Sequence, residues 1–209
     1  MAIFATLVLV VLDGAIANVA LPSISTALDA YASDAVWVVT SYQLALVMGI
    51  LPSATLGESL GHRKVYVAGL ILFTLASILN AMAPSLPWLI AGRFLQGVGV
   101  APLMALGSAL LRFIYPTSRM SAIGWMSMVV ALSSAFGPTV GAGILSVAPW
   151  PWLFAINVPI GLIALLTTGS LPKPAASDLA LDAISIILNG EAFSALVIGA
   201  GQISVRSGL

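Results

Sequence analysis

Apolar runs long enough to cross a lipid bilayer succeed one another along this chain, at roughly 2–22, 35–57, 65–83, 87–111, 121–147, 151–170 and 182–204. A helical span needs about 20 residues to cross about 30 Å of hydrocarbon. Lipid offers no water to a backbone N–H or C=O, so each run has to satisfy its own polar groups by folding as an α-helix. Composition agrees. Of 209 residues, 60% are hydrophobic and 7% charged, where soluble domains carry about 25% charged residues. The expected fold class is an all-α, multi-pass membrane protein. Its first run starts almost at Met1 with no basic leader, exceeds a signal-peptide core in length and contains Asp13, so it reads as a retained span.

Charge placement sets an orientation. Arg63 and Lys64 fall in the connection Glu58–Lys64, Arg112 and Arg119 in Arg112–Met120, and Lys173 in Leu171–Leu181. The intervening connections (Ser23–Asp34, Ala83–Leu86, Ser146–Trp150) carry no Lys or Arg. Basic residues in alternate loops predict a cytoplasmic N-terminus. Seven Lys and Arg balance seven Asp and Glu, which leaves no basic face for nucleic acid. With no cysteine and a single histidine, His62, disulfides, thiolate chemistry and a multi-histidine metal centre are excluded. No intramembrane pair of His or Ser/Lys residues suggests an enzyme, and no cofactor is expected.

The informative residues are those that cost energy to bury. Asp13 sits near the middle of the first span, where a charge costs about 2.5–3.5 kcal/mol on insertion scales. Its helical neighbours Ile16 and Ala17 offer no compensation. It is either a protonatable group facing a wet cavity or an acid salt-bridged inside the bundle. Arg93, early in the fourth span, shares one face with Gln96 and Gly97 at i+3 and i+4. It either bonds across helices or snorkels to the outer surface. Glu191 and Asp182 belong to the seventh run. In the fifth span Gly137, Pro138, Gly141 and Gly143 predict a smooth strip with a proline bend.

Four motifs occur in one order. They are Leu12-Asp13-Gly14 through Asn18-Val19-Ala20-Leu21-Pro22, Leu89–Gly99 around Arg93, Gly137–Gly143, and Trp150–Gly161 with Trp150, Trp152, Phe154, Asn157, Pro159 and Gly161. Together they resemble the first-helix signature, motif B, motif C and the helix-six signature of the major facilitator superfamily, in its fourteen-helix branch of drug:proton antiporters (EmrB/QacA-like). The loop between the second and third spans departs from the family's motif A. Glu58 replaces the aspartate, Ser59 stands where an arginine is usual, and His62 replaces another basic residue, while Gly61 and Arg63 remain. This variant is similar to the methyl viologen and quaternary-ammonium resistance subgroup.

The resemblance implies a six-helix bundle of inverted three-helix repeats over residues 1–170, a cytoplasmic linker at 171–181 and one further span within 182–209. It implies proton-coupled efflux of lipophilic or quaternary-ammonium cations across the cytoplasmic membrane, driven by a proton gradient. Asp13 and Arg93 would couple the proton. Trp37, Tyr42, Gln43, Met48, Gln96, Trp125 and Met126 would line the substrate cavity, Glu58, Gly61 and Arg63 would form the conformational loop, and Gly137, Pro138, Gly141 and Gly143 would bend helix five. Relative to the family, a second six-helix half is missing. The expectation is that residues 1–209 alone complete no transport cycle, that they expose Asp13 and Arg93 on an uncovered face, and that they pair with a C-terminal half. The rival expectation is a truncated membrane fragment that does no more than associate with partner subunits.

Overall fold

The computed structural model describes residues 2–114 and 119–172. In chain order the helices are α1 (Ala2–Ala27), α2 (Ala32–Ala35), α3 (Trp37–Leu60), α4 (His62–Ala81), α5 (Leu86–Ile114), α6 (Arg119–Leu145), α7 (Trp152–Ala155) and α8 (Asn157–Thr167), closed by a 3-10 turn at Thr168–Ser170. Helices α2 and α3 act as one span, as do α7 and α8. Among the described residues five stretches are long and apolar enough to cross a membrane: Ile3–Ala27, Ala32–Leu60, His62–Ala81, Leu86–Ile114 and Met120–Leu145. The sixth, Trp152–Thr167, is shorter. No strand occurs among the described residues. The predicted linker beyond residue 172, the seventh run and Glu191 lie outside the described residues.

Helix ends differ from the expectation because charged and polar residues at a membrane surface need not leave the helix. Helix α1 continues past Pro22 to Ala27. The hydroxyls of Ser25 and Thr26 donate to the Pro22 carbonyl at 2.9 and 3.0 Å. It then closes with Ala30 N–H on Ser25 O and Leu28 N–H on Ile24 O, both at 2.9 Å. Asp29 takes the left-handed position (φ 48°) that glycine usually fills in such a cap. The expected Glu58–Lys64 connection shrinks to Gly61 alone, since Glu58 lies in the last turn of α3, which ends at Leu60, and His62 begins α4. Gly61 has φ 98° with nothing near its missing Cβ, so the backbone angle and not space demands glycine. Arg112 likewise lies in the last turn of α5, and Arg119 opens α6.

Helix α5 lies between α3 and α4, α6 lies along α1, and α8 packs on α4 and α1. Glycines allow the central helix to approach its neighbours. A Cβ on Gly97 would collide with the Tyr42 carbonyl of α3, and one on Gly99 would come within 2.6 Å of the Phe73 nitrogen of α4. One apolar core runs through Leu9, Val10, Tyr66, Leu70, Phe73, Val100 and Leu106. A second gathers Ile16, Ile24, Val38, Leu89, Trp150 and Phe154. Polar residues of α1, α3, α4, α5 and α8 meet between helices that are otherwise apolar. The outward faces carry Leu51, Leu75, Ile163 and Leu166, as lipid contact requires.

Candidate functional site

Asp13 is the centre of that polar cluster. It is 2% exposed and Arg93 is fully buried. One Arg93 Nη1 donates to Asp13 Oδ2 at 2.6 Å. Asp13 Oδ1 accepts from Gln96 Nε2 at 3.1 Å and from Asn157 Nδ2 at 2.5 Å. The compensation absent from Asp13's own helix therefore arrives from α5 and α8. Of the two readings of Asp13, the structure has the salt-bridged one. Of the two for Arg93, it has the bond across helices and not the snorkel. The expected exposure of both residues on an uncovered face is corrected as well: neighbouring helices of the same bundle enclose them.

Arg93 is held from several sides. Its Nε donates to the Val38 carbonyl of α3 at 3.2 Å, and Nη1 also donates to Gln96 Oε1 at 2.7 Å. The guanidinium lies 4.0 Å from the Tyr42 ring centroid and 5.6 Å from that of Phe154, so aromatic faces supply part of the stabilisation that water would give. Nη2 is buried without a hydrogen-bond partner. Gln96 is fully engaged. Its amide nitrogen reaches Ser77 Oγ at 2.9 Å as well as Asp13, and its oxygen also accepts from Asn80 Nδ2 at 2.7 Å. Ser77 passes its own hydroxyl proton to Phe73 O at 2.8 Å. A chain of bonds thus runs from α4 through α5 to α1 and α8, with Asn80 Oδ1 as well as Arg93 Nη2 left without a partner.

The remaining expected site residues scatter. Tyr42 and Gln96 belong to the cluster. Trp37, Gln43 and Trp125 are exposed, and their side chains make no hydrogen bond or ring contact among the described residues. Met126 lines a separate cavity of about 30 Å³ with Thr6, Leu7, Tyr66 and Leu103, among others, room for about one water. Met48 is half-buried on α3. Glu58 is exposed while Gly61 and Arg63 are half-buried at the α3–α4 corner. Helix α6 runs unbroken with Pro138 inside it. Gly137 and Gly141 face Ala15 and Ile16 of α1, whereas Gly143 faces open space. Two glycines of the strip therefore serve packing.

Sequence reasoning missed Ser77, Asn80 and Asn157. Each is a lone small polar residue in an apolar run, and what gives it meaning is its register against other helices. For Asn157 one signal was available, an amide inside the Trp150–Gly161 motif.

A bundle of membrane-length helices closed around a buried ion pair is the architecture of a polytopic membrane protein. The chain belongs to the Major Facilitator Superfamily, whose family model matches residues 3–204. It is 46% identical over 191 residues to the uncharacterized transporter YebQ of Escherichia coli, a match covering 90% of this chain and 42% of that protein. The riboflavin transporter RibZ of Clostridioides difficile is 37% identical over 80% of this chain and 37% of its own length. The multidrug export protein EmrB of Haemophilus influenzae is 33% identical over 91% of this chain and 37% of its own. The chain thus spans about two-fifths of the length of these relatives. Among solved structures, a peptide transporter aligns with a TM-score of 0.74 at 15% identity, covering 98% of this chain and 44% of that one, which shows the fold alone. The family is one of transporters and not of enzymes.

Proposed function

We propose that the chain forms the N-terminal part of a proton-coupled exporter of lipophilic or quaternary-ammonium cations, set in the cytoplasmic membrane with its N-terminus inside. The observation that carries this reading is the sealed Asp13–Arg93 pair, 2.6 Å apart, with a dense set of bonds around it. In this arrangement the pair is electrically neutral. Removing one partner's charge from a buried pair costs about 3–5 kcal/mol, because the other is left uncompensated. A proton on Asp13 therefore calls for a new environment for Arg93, and that environment requires helices to move. Proton binding and rearrangement become one event. Proton and cationic substrate both compete with Arg93 for one carboxylate, which is the logic of exchange.

The kinship with exporters named for multidrug resistance supports this cargo. A second reading keeps the machinery and changes the cargo to a flat, neutral heteroaromatic. It is supported by the riboflavin transporter, whose identity of 37% equals that of the multidrug export protein EmrB of Escherichia coli. Inverted vesicles carrying the protein as its gene encodes it test both. Under an imposed proton gradient, uptake of a fluorescent lipophilic cation, abolished by dissipating the gradient, supports the first. Riboflavin movement without cation movement overturns it in favour of the second.

A further inference from the structure

The geometry points to Asn157 as the residue that follows the proton on Asp13: its amide donates to the carboxylate and, turned over, accepts from the protonated acid. The inference rests on the reading of Asp13 as the protonating group. Once Asp13 carries a proton, a neighbour has to receive the hydrogen bond that the acid donates.

Among the described residues three side chains bond the carboxylate. Arginine has N–H donors and no acceptor, so Arg93 on Oδ2 cannot receive an O–H. Gln96 has an amide oxygen, but that oxygen already accepts from Arg93 Nη1 and Asn80 Nδ2, both at 2.7 Å, while its nitrogen serves Asp13 and Ser77. Turning Gln96 over would break all these bonds and set its NH2 group against two donors. Ser77 could not repair the loss, since its proton is committed to Phe73 O.

Asn157 differs. Its side chain makes one hydrogen bond among the described residues, to Asp13 Oδ1 at 2.5 Å, and the residue is 3% exposed. The two ends of a side-chain amide are nearly alike in size, so rotation exchanges donor for acceptor at the same place without displacing a helix. Among the described residues Tyr42 on α3 is the other titratable group facing the pair. Its hydroxyl reaches back to Val10 O at 3.4 Å and its ring covers Arg93. Helices α4, α7 and α8 present only uncharged groups there, Ser77, Asn80, Phe154 and Asn157.

The step balances simply. A proton from the aqueous phase forms the Oδ1–H bond, Asp13 becomes neutral, Arg93 keeps its charge, and the Asn157 carbonyl takes the new O–H. Oδ1, not Oδ2, is the protonated oxygen, because Oδ2 faces the guanidinium. Asn157 opens α8, so the bond also ties the first helix to the last described one in both protonation states.

Infrared difference spectroscopy between neutral and acid pH, on the protein as its gene encodes it, reconstituted in lipid, tests this. The acid carbonyl band is assigned to Asp13 by its loss in Asp13→Asn. In Asn157→Leu, which can neither donate nor accept, that band is expected to move to higher wavenumber, as for an unbonded acid. In Asn157→Ser, whose hydroxyl does both, it should stay near the wild-type position. An unmoved band in Asn157→Leu overturns the inference while leaving Asp13 as the proton carrier. Absence of any Asp13 acid band overturns both. Should Asn157→Leu fail to assemble, isotope labelling of asparagine side-chain carbonyls decides the same question, the Asn157 band being assigned among the four asparagines by its loss in Asn157→Ser. A labelled band that shifts on acidification supports the turnover, and one that does not overturns it.

Discussion

Remove Arg93's charge while keeping its bulk, as in Arg93→Met, and Asp13 is left buried with two neutral donors, Gln96 at 3.1 Å and Asn157 at 2.5 Å. Those bonds hold the loss toward the lower end of the about 3–5 kcal/mol expected when one partner of a buried pair is removed. Asp13→Leu is the mirror case. Arg93 keeps the Val38 carbonyl at 3.2 Å, Gln96 at 2.7 Å and the Tyr42 ring at 4.0 Å, and a desolvated cation over an aromatic face retains about 2 kcal/mol. Each single variant is thus expected to lose roughly 3 kcal/mol of stability. The double variant leaves no charge stranded, so its loss should hardly exceed that of either single one, a coupling of about 3 kcal/mol. Unfolding in mixed detergent micelles, followed by tryptophan fluorescence, measures the cycle. Losses that simply add, within about 0.5 kcal/mol, would refute the view that the two charges compensate each other.

Arg93→Lys keeps the charge but loses the planar fork that serves Asp13, Gln96 and Val38 together. Transport in vesicles should fall at least about tenfold, the cost of about 1.4 kcal/mol, and full activity would mean that charge alone suffices. Gly97→Ala drives a methyl into the Tyr42 carbonyl and is expected to cost about 1–3 kcal/mol. Gly143→Ala, into open space, should cost little in the same unfolding assay. For topology, the chain has no native cysteine, so cysteines at Tyr31 and Lys64 report their sides directly. Impermeant maleimide should label the first from outside and the second only after permeabilisation.

The six helical segments were legible because lipid leaves a twenty-residue apolar run no other fold. Their ends were less legible. Glu58 and Arg112 read as loop residues but remain helical, since a charge at the headgroup level needs no break in the backbone. Asp13 and Arg93 stood out by cost alone, and Gln96 by its place one turn beyond Arg93. That α8 supplies Asn157 to Asp13, and α4 supplies Ser77 and Asn80 to Gln96, was not legible. That depends on the rotation of α8 and α4 about their axes, and apolar runs with no strong amphipathic stripe do not encode rotation. The same gap separates Tyr42, which reached the cluster, from Trp37, Gln43 and Trp125, which resemble it as polar or aromatic members of a span and do not.

Exchange of a proton for substrate at Asp13 is open to direct measurement. Purified protein in weakly buffered detergent solution, with a pH indicator, reports it when a lipophilic cation is added. Proton release that saturates with substrate is expected from the wild type, and its loss is expected in Asp13→Asn even at cation concentrations raised to fill the weakened site. Equal proton release from Asp13→Asn would contradict exchange at this carboxylate.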